Sequence, residues 1–394
     1  MPKVAPDRAR PRFVMYVPNS ALTPFHDRSP WVMFPRSFQT LGYESTLICG
    51  AFTGTRPAGL RILESFQVVK NPRKGGKARS LFEPLLVFGE IRRQRPDTVM
   101  VGPLRSSLFS FLPLVLLYRL FTERGRTRRT TFVLKADWGL DATGLSRLEA
   151  ALSRTLLVVS TYVLDLVTFE TSCGLGRARR LPGIRPDRTA RVPLAFPQGT
   201  MERLPYSASP RTPVVLCVAR ITRMKGQDVL LKAFFRIAGR FPEWSIHLVG
   251  PVEDPGFQDE LRGMAAQGGW TDRVVMSGFV EESELEREFS AASVFCLPSV
   301  HSENAGQVQY EATARGLPVI TTDVVCAADA EEMGWIVTRA GSVDDLAKKL
   351  EGLLEDEGRR AGTADRAQAR QGTYLDLVQS HPFPAPRRAR EVDI

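Results

Sequence analysis

Seven residues separate Glu303 from Glu311, and Gly306 lies between them. Carboxylates so placed can accept hydrogen bonds from sugar or ribose hydroxyls. Gly306 opens a predicted short helix, whose first N–H groups and partial positive charge favour an anion. A glycine there lets the backbone come close to it. About eighty residues upstream, Arg220 and the pair Lys225-Gly226 follow the apolar run 214–219. Two cations and one helix terminus suit a diphosphate, with hydroxyl-binding acids beside it.

These residues need strands to carry them. Apolar runs at 214–218, 245–249, 274–277, 294–297 and 319–321 read as strands in the C-terminal half. Runs at 13–17, 45–49, 98–102, 131–135 and 166–169 do the same in the N-terminal half. Helical stretches separate most of them, which is the pattern of βαβ units and parallel sheets. In such sheets ligands bind outside the carboxyl ends of the strands. Arg220, Lys225 and the Gly306 turn all fall at such ends. A chain of 394 residues accommodates two domains, each with its own core. The stretch 199–212, rich in turn formers, reads as the linker between them.

Composition narrows the classes. The five cysteines include no CxxC pair, and Cys49, Cys217 and Cys296 fall in apolar runs, so all five read as reduced thiols in a reducing compartment. Four scattered histidines make no metal cage. The first residues lack the apolar core of a secretion signal. Charge is concentrated: residues 71–130 hold thirteen Lys/Arg and four Asp/Glu, a net of +9 against +10 for the whole chain. Inside that stretch the apolar run 107–121 is too short to span a bilayer, which takes roughly 20 apolar residues. An apolar helix flanked by arginines can instead lie in the headgroup region of an anionic membrane. The alternative is a buried helix beside a solvated basic loop. No helix-turn-helix or aromatic RNA-binding pattern accompanies the charge, so nucleic acid is disfavoured.

Taken together, Ala219-Arg220, Lys225-Gly226, Ser277-Gly278-Phe279, Pro298-Ser299, Glu303-x7-Glu311 with Ala312, and Gly316-x-Pro318-Val319 resemble the retaining glycosyltransferases of family 4 (glycosyl transferases group 1). The resemblance covers about residues 213–355. It implies an α/β chain of two Rossmann-like, doubly wound domains facing a cleft, the GT-B fold. Residues 1–205 would bind the acceptor and 206–363 a nucleoside-diphosphate sugar. A helix over about 364–380 would pack back on the first domain, and 381–394 would be a loose basic tail.

On the donor side the resemblance assigns the diphosphate to Arg220 and Lys225, sugar hydroxyls to Glu303, and the ribose to Glu311. Asn304, Ala305, Gly306, Gln307 and Val308 would line the same site, and Phe279 and Val280 would flank the base. Asp137, His26 and Asp27 are the acceptor-side candidates, and Asp137 joins Glu303, Arg220 and Lys225 as a candidate for catalysis. The expected reaction is hexosyl transfer to a lipid-linked or saccharide acceptor, with no cofactor and no metal, by an enzyme on the inner face of the cell membrane. A non-catalytic nucleotide-sugar scaffold and a nucleotide-sugar epimerase are the alternatives. The chain departs from the family pattern in three places. No glycine occurs in 18–27 after the first strand, Lys135-Ala136-Asp137 stands where many relatives have a histidine, and Ala305 replaces an aromatic or proline.

Overall fold

A computed structural model describes residues 10–22, 30–52, 56, 59–64, 76–102, 108–123, 129–136, 146–193, 203–208, 210–301, 306–372 and 376. His26, Asp27, Asp137, Glu303, Asn304 and Ala305 lie outside the described residues. The chain divides into two compact units, Met1–Pro193 with Thr373–Ile394 and Leu194–Gly372.

The first unit runs β1 (Arg12–Leu22), α1 (Pro30–Thr40), β2 (Glu44–Phe52), β3 (Arg61–Glu64), α2 (Gly76–Gln94), β4 (Thr98–Val101), α3 (Leu108–Phe121), β5 (Thr131–Lys135), α4 (Arg147–Val163), β6 (Leu166–Phe169), α5 (Ser172–Arg179) and β7 (Thr189–Arg191). All its strands are parallel, in the order β3-β2-β1-β4-β5-β6-β7. Strands covered on both faces read as continuous apolar runs, which is why Phe13–Val17 in β1 and Phe132–Leu134 in β5 are buried throughout. Val87 and Ile91 of α2, Phe111 and Val115 of α3, and Leu157 of α4 pack with Tyr16, Val99, Phe132 and Val167 into one core.

The second unit runs β8 (Val214–Val218), α6 (Gln227–Ile237), β9 (Ser245–Val249), α7 (Pro255–Gln267), β10 (Val274–Gly278), α8 (Glu282–Ala291), β11 (Val294–Cys296), α9 (Gln307–Ala314), β12 (Val319–Thr322), α10 (Ala327–Glu332), β13 (Ile336–Thr338), α11 (Val343–Leu354) and α12 (Glu357–Arg370). Its parallel sheet has the order β10-β9-β8-β11-β12-β13. Every strand expected from the sequence is present. The three missed, β3, β7 and β13, are all short edge strands. Each is only three or four residues long and partly exposed, so its apolar signal is short.

One boundary differs from expectation. The first unit ends at Pro193, not at 205, because the next described stretch is built into the second unit. The Leu204 N–H donates to the Ala314 carbonyl at 2.9 Å, and Tyr206 is buried. Gly316, at φ 72°, lies so close beneath that a Cβ there would sit 2.5 Å from the Leu204 oxygen. The Arg211 guanidinium donates to the carbonyls of Phe289, Ser290, Ala292 and Arg315. The described part of the expected linker is thus packed structure. At the other end, the helix expected over 364–380 is described only in part, since 373–375 and 377–380 lie outside the described residues. Thr373–Ile394 groups with the first unit as expected. The stretch before it is the end of α12, which stops at Arg370. Helix α12 docks on the second unit, where Gln368 donates to the carbonyls of Leu204 and Ala314 at 2.7 and 2.9 Å. Arg360 donates to the Tyr206 hydroxyl at 2.8 Å.

Cys49, Cys217 and Cys296 are free and buried. Burial, with Cys217 alongside, pushes the Cys296 thiol well above its ordinary value, so it is chemically quiet. Cys173 and Cys326 are not among the free cysteines, so the expectation of five reduced thiols holds for three. None of the helices among the described residues is long and apolar enough to cross a membrane.

Candidate functional site

The second sheet reverses its strand order between β8 and β11, and open α/β sheets bind ligands in the crevice at that reversal. The described parts of the connections leaving these strands are fixed by contacts. Arg220 follows β8 by two residues. The side-chain amide of Gln227, the first residue of α6, donates to its carbonyl at 2.8 Å. Gln227 is fully buried, and its Oε1 has no partner among the described residues. The Arg220 guanidinium is about half exposed. Its Nη1 lies 2.7 and 2.6 Å from the two carboxylate oxygens of Glu253, in the loop after β9. Such a surface pair contributes about 0–1 kcal/mol, so an incoming anion can exchange for it.

Lys225 closes a single 3-10 turn, Arg223–Lys225, and Gly226 follows at φ 68° in the left-handed region. A Cβ on Gly226 would lie 2.2 Å from the Pro298 carbonyl oxygen. Val300 donates its N–H to the Met224 carbonyl at 2.9 Å. The turn carrying Lys225 therefore lies directly on the chain leaving β11. Only glycine fits there, for conformation and for space.

Beyond β11 the described chain runs to His301 and resumes at Gly306, the N-cap of α9. Gly306 has an ordinary φ of −68°, so its role is not conformational. Its neighbour is close: a Cβ there would lie 3.0 Å from Gln309 Oε1. Gln309 is fully buried and donates to the Thr321 hydroxyl at 2.6 Å, which ties α9 to β12. Gln307 and Val308 form the first turn of α9, and Glu311, largely buried, follows in the next. Arg315 fixes the far end of this helix. Its buried guanidinium forms a two-armed ion pair with Glu286 on α8, caps the Glu311 carbonyl at 2.8 Å and stacks over Phe289.

Phe279 and Val280 lie just past β10, and the Phe279 ring is half exposed. The ends of β8, β9 and β10 touch through backbone. Gly250 donates to the Gly278 carbonyl at 2.7 Å, and its Cα faces the Ala219 oxygen so closely that a Cβ would lie 2.1 Å away. Arg220, Lys225, Gly306, Gln307 and Val308 thus gather at the β8–β11 reversal, with Glu311 one turn into α9. Phe279 and Val280 sit two strands away. The sequence reading missed Gln227, the Gln309–Thr321 bond and the Arg315–Glu286 pair. Arg315 directly precedes the quoted Gly316-x-Pro318-Val319, but nothing local marks a partner 29 residues away. Among the described residues no group of three or more His, Cys, Asp or Glu could hold a metal ion.

The first sheet has the corresponding edge. Lys135 ends β5, and its ammonium is buried in an ion pair with Glu170, which follows β6. It also lies 5.0 Å from the centre of the Trp31 ring. Burial pushes the amine below its ordinary value, and the Glu170 carboxylate opposes that shift.

Residues 203–370 match the family described as Glycosyl transferases group 1. The chain is 34% identical over 156 residues to the phosphatidyl-myo-inositol mannosyltransferase of Mycolicibacterium smegmatis, a match covering 38% of each protein. It is 33% identical over 193 residues to the D-inositol 3-phosphate glycosyltransferase of Xylanimonas cellulosilytica, covering 48% of this chain and 43% of that one. The chain therefore spans less than half the length of these two relatives. Solved structures are similar over nearly the whole chain. Anabaena Alr3699/HepE, in complex with UDP, superposes with a TM-score of 0.69 at 17% identity, covering 93% of this chain and 97% of its own. WaaG, a glycosyltransferase involved in lipopolysaccharide biosynthesis, gives 0.63 at 14% identity, covering 93% and 98%. At such identities the likeness is one of fold. Residues 203–370 therefore belong to the glycosyl transferases group 1, in a chain whose two α/β units have the GT-B fold.

Proposed function

We propose that this protein is a retaining glycosyltransferase that moves a hexose-type sugar from a nucleoside-diphosphate sugar to a lipid-linked or saccharide acceptor. The observation that supports it is the gathering of Arg220, Lys225 and the α9 N-terminus at the β8–β11 reversal. As the bond from the anomeric carbon to the diphosphate breaks, negative charge grows on the leaving phosphate. Preorganised cations and N–H groups stabilise that charge without reorganising. The acceptor oxygen bonds to the anomeric carbon on the face the diphosphate leaves, and its proton passes to the departing phosphate oxygen. Glu303 holds sugar hydroxyls and Glu311 the ribose, so these acids are not the acid and nucleophile of a glycosidase. Phe279 and Val280 flank the base.

The reading takes its acceptor class from relatives whose names place them on phosphatidylinositol and inositol phosphate. It makes the protein a peripheral enzyme of the inner membrane face, with Asp137, His26 and Asp27 on the acceptor side. The test is a screen of nucleotide sugars by thermal shift, followed by donor turnover. A bound donor raises the melting temperature by mass action. No shift with any donor would overturn the proposal. A shift without turnover, alone or with candidate acceptors, would leave a nucleotide-sugar-binding protein.

The local positive charge at Arg220, Lys225 and α9 also leads us to propose that no divalent cation is needed against the diphosphate. Turnover should persist in excess EDTA. Abolition by the chelator with rescue by Mg²⁺ or Mn²⁺ would contradict this.

A further inference from the structure

Helices α3 and α4 pack side by side on one face of the first sheet and contribute to the same core. Their inner faces are filled, by Phe111, Val115 and Tyr118 from α3 and by Leu156 and Leu157 from α4. Their outer faces are apolar too. Leu148, Leu152 and Val159 form one stripe along α4, at spacings that return to the same side of a helix. Leu116, Leu120 and Phe121 project from the last turns of α3. All six are between 41 and 77% exposed. Single exposed leucines are ordinary, but exposed apolar side chains grouped on two adjacent helices mark an interaction site.

The charges beside this surface say what covers it. Arg129, Arg147 and Arg154 are exposed next to or on these helices. Arg119, in the last turn of α3, is partly exposed, with Asp165 as its partner at 2.7 Å. Glu149 is the one exposed acid among the described residues of α3 and α4, and it is engaged by the Ser146 backbone and side chain in the capping box of α4. Joining two copies through this face would set arginine against arginine. A bilayer bearing anionic headgroups meets both features at once, taking the leucines into its interface and the guanidiniums at its surface. We propose that the outer faces of α3 and α4 are a docking surface for an anionic lipid bilayer, on which this unit lies without crossing. The surface does not depend on the glycosyltransferase reading, which supplies only its purpose.

The test is co-sedimentation of the full chain with vesicles of phosphatidylcholine alone and with vesicles in which phosphatidylserine replaces part of it. Binding should be strong to the second and weak to the first. Arg147→Ser with Arg154→Ser should weaken it by about fivefold for each arginine. Leu116→Ser with Leu152→Ser should weaken it by about tenfold or more. These positions are exposed, so melting temperatures and the donor-induced thermal shift should stay at wild-type values. Absence of binding to either vesicle, or variants that bind like the parent, would overturn the proposal. So would sedimentation of the free protein as a dimer that the leucine variant dissociates, because a second copy would then own the surface. Loss of the donor shift in the unaltered chain with vesicle binding intact would overturn the proposed function and leave the docking surface standing.

Discussion

The two sheets share a frame and differ in what stands at its edge. In both, the order runs outward from a central pair and reverses beside the first strand, β1–β4 in one and β8–β11 in the other. Each has a cation at a strand's carboxyl end. In the first unit that cation, Lys135, is sealed beneath Trp31 and neutralised by the chain's own Glu170. In the second unit Arg220 stays half exposed, paired among the described residues with a surface carboxylate, on a turn held by buried Gln227 and clamped at Gly226. One edge spends its positive charge on folding, and the other holds it rigidly where a ligand's charge can reach it. The shared topology supplies a place for a site. Burial of the charge decides whether the place is used for binding.

The contrast is tested most severely at Glu170. Its replacement by Gln leaves a buried ammonium without a counter-charge, and breaking such pairs costs about 3–5 kcal/mol. The Lys135→Met, Glu170→Leu double variant should recover most of that in denaturant melts. A pH dependence follows. Because the folded chain holds Lys135 below its ordinary value, the unfolded chain binds more protons in the range between the two, and stability should rise with pH there. In Glu170→Gln, which loses the interaction opposing the downward shift, the rise should be steeper. A flat profile would mean that the lysine is not sealed.

At the other edge, Lys225→Ala should cost about 2.7–4 kcal/mol in the transition state while leaving the melting temperature unchanged. Turnover at the parent rate in a folded variant would remove Lys225 from the site. Gly226→Ala should do both kinds of damage. A side chain in the left-handed region costs about 1–2 kcal/mol, and contact with the Pro298 carbonyl adds to it, so stability and donor binding should fall together. The smallest effect is expected at Glu253. Its change to Gln releases the Arg220 guanidinium, and donor affinity should rise by less than about 1 kcal/mol, with stability unmoved. Calorimetric titration reads this directly. Weaker binding would mean that Glu253 itself holds the ligand.

Interior strands were legible because burial on both faces writes itself as an unbroken apolar run, as in β5 and β8. The edge strands β3, β7 and β13 were not, since each is only three or four residues long and partly exposed, whereas the longer edge strand β10 was read. Around the candidate site, the charged and glycine positions could be read from spacing, whereas their supports could not. Gln227 looks like any polar residue opening a helix, and Gln309 like a surface amide, yet both are fully buried. The apolar character of α3 was visible, but its outward half was not, because hydropathy alone does not say which side of a helix meets the core. The stripe on α4 has a readable period and was passed over, since a stripe of that kind usually faces inward.

The three buried free thiols turn the chain into its own reporter. Cys49 belongs to the first unit, and Cys217 and Cys296 to the second. A thiol reagent reaches such groups only when the surrounding structure opens. Modification of Cys49 against that of the Cys217–Cys296 pair, followed by mass spectrometry, would therefore time the opening of each unit separately in one sample. Adding a nucleotide sugar should slow the clock in the second unit alone.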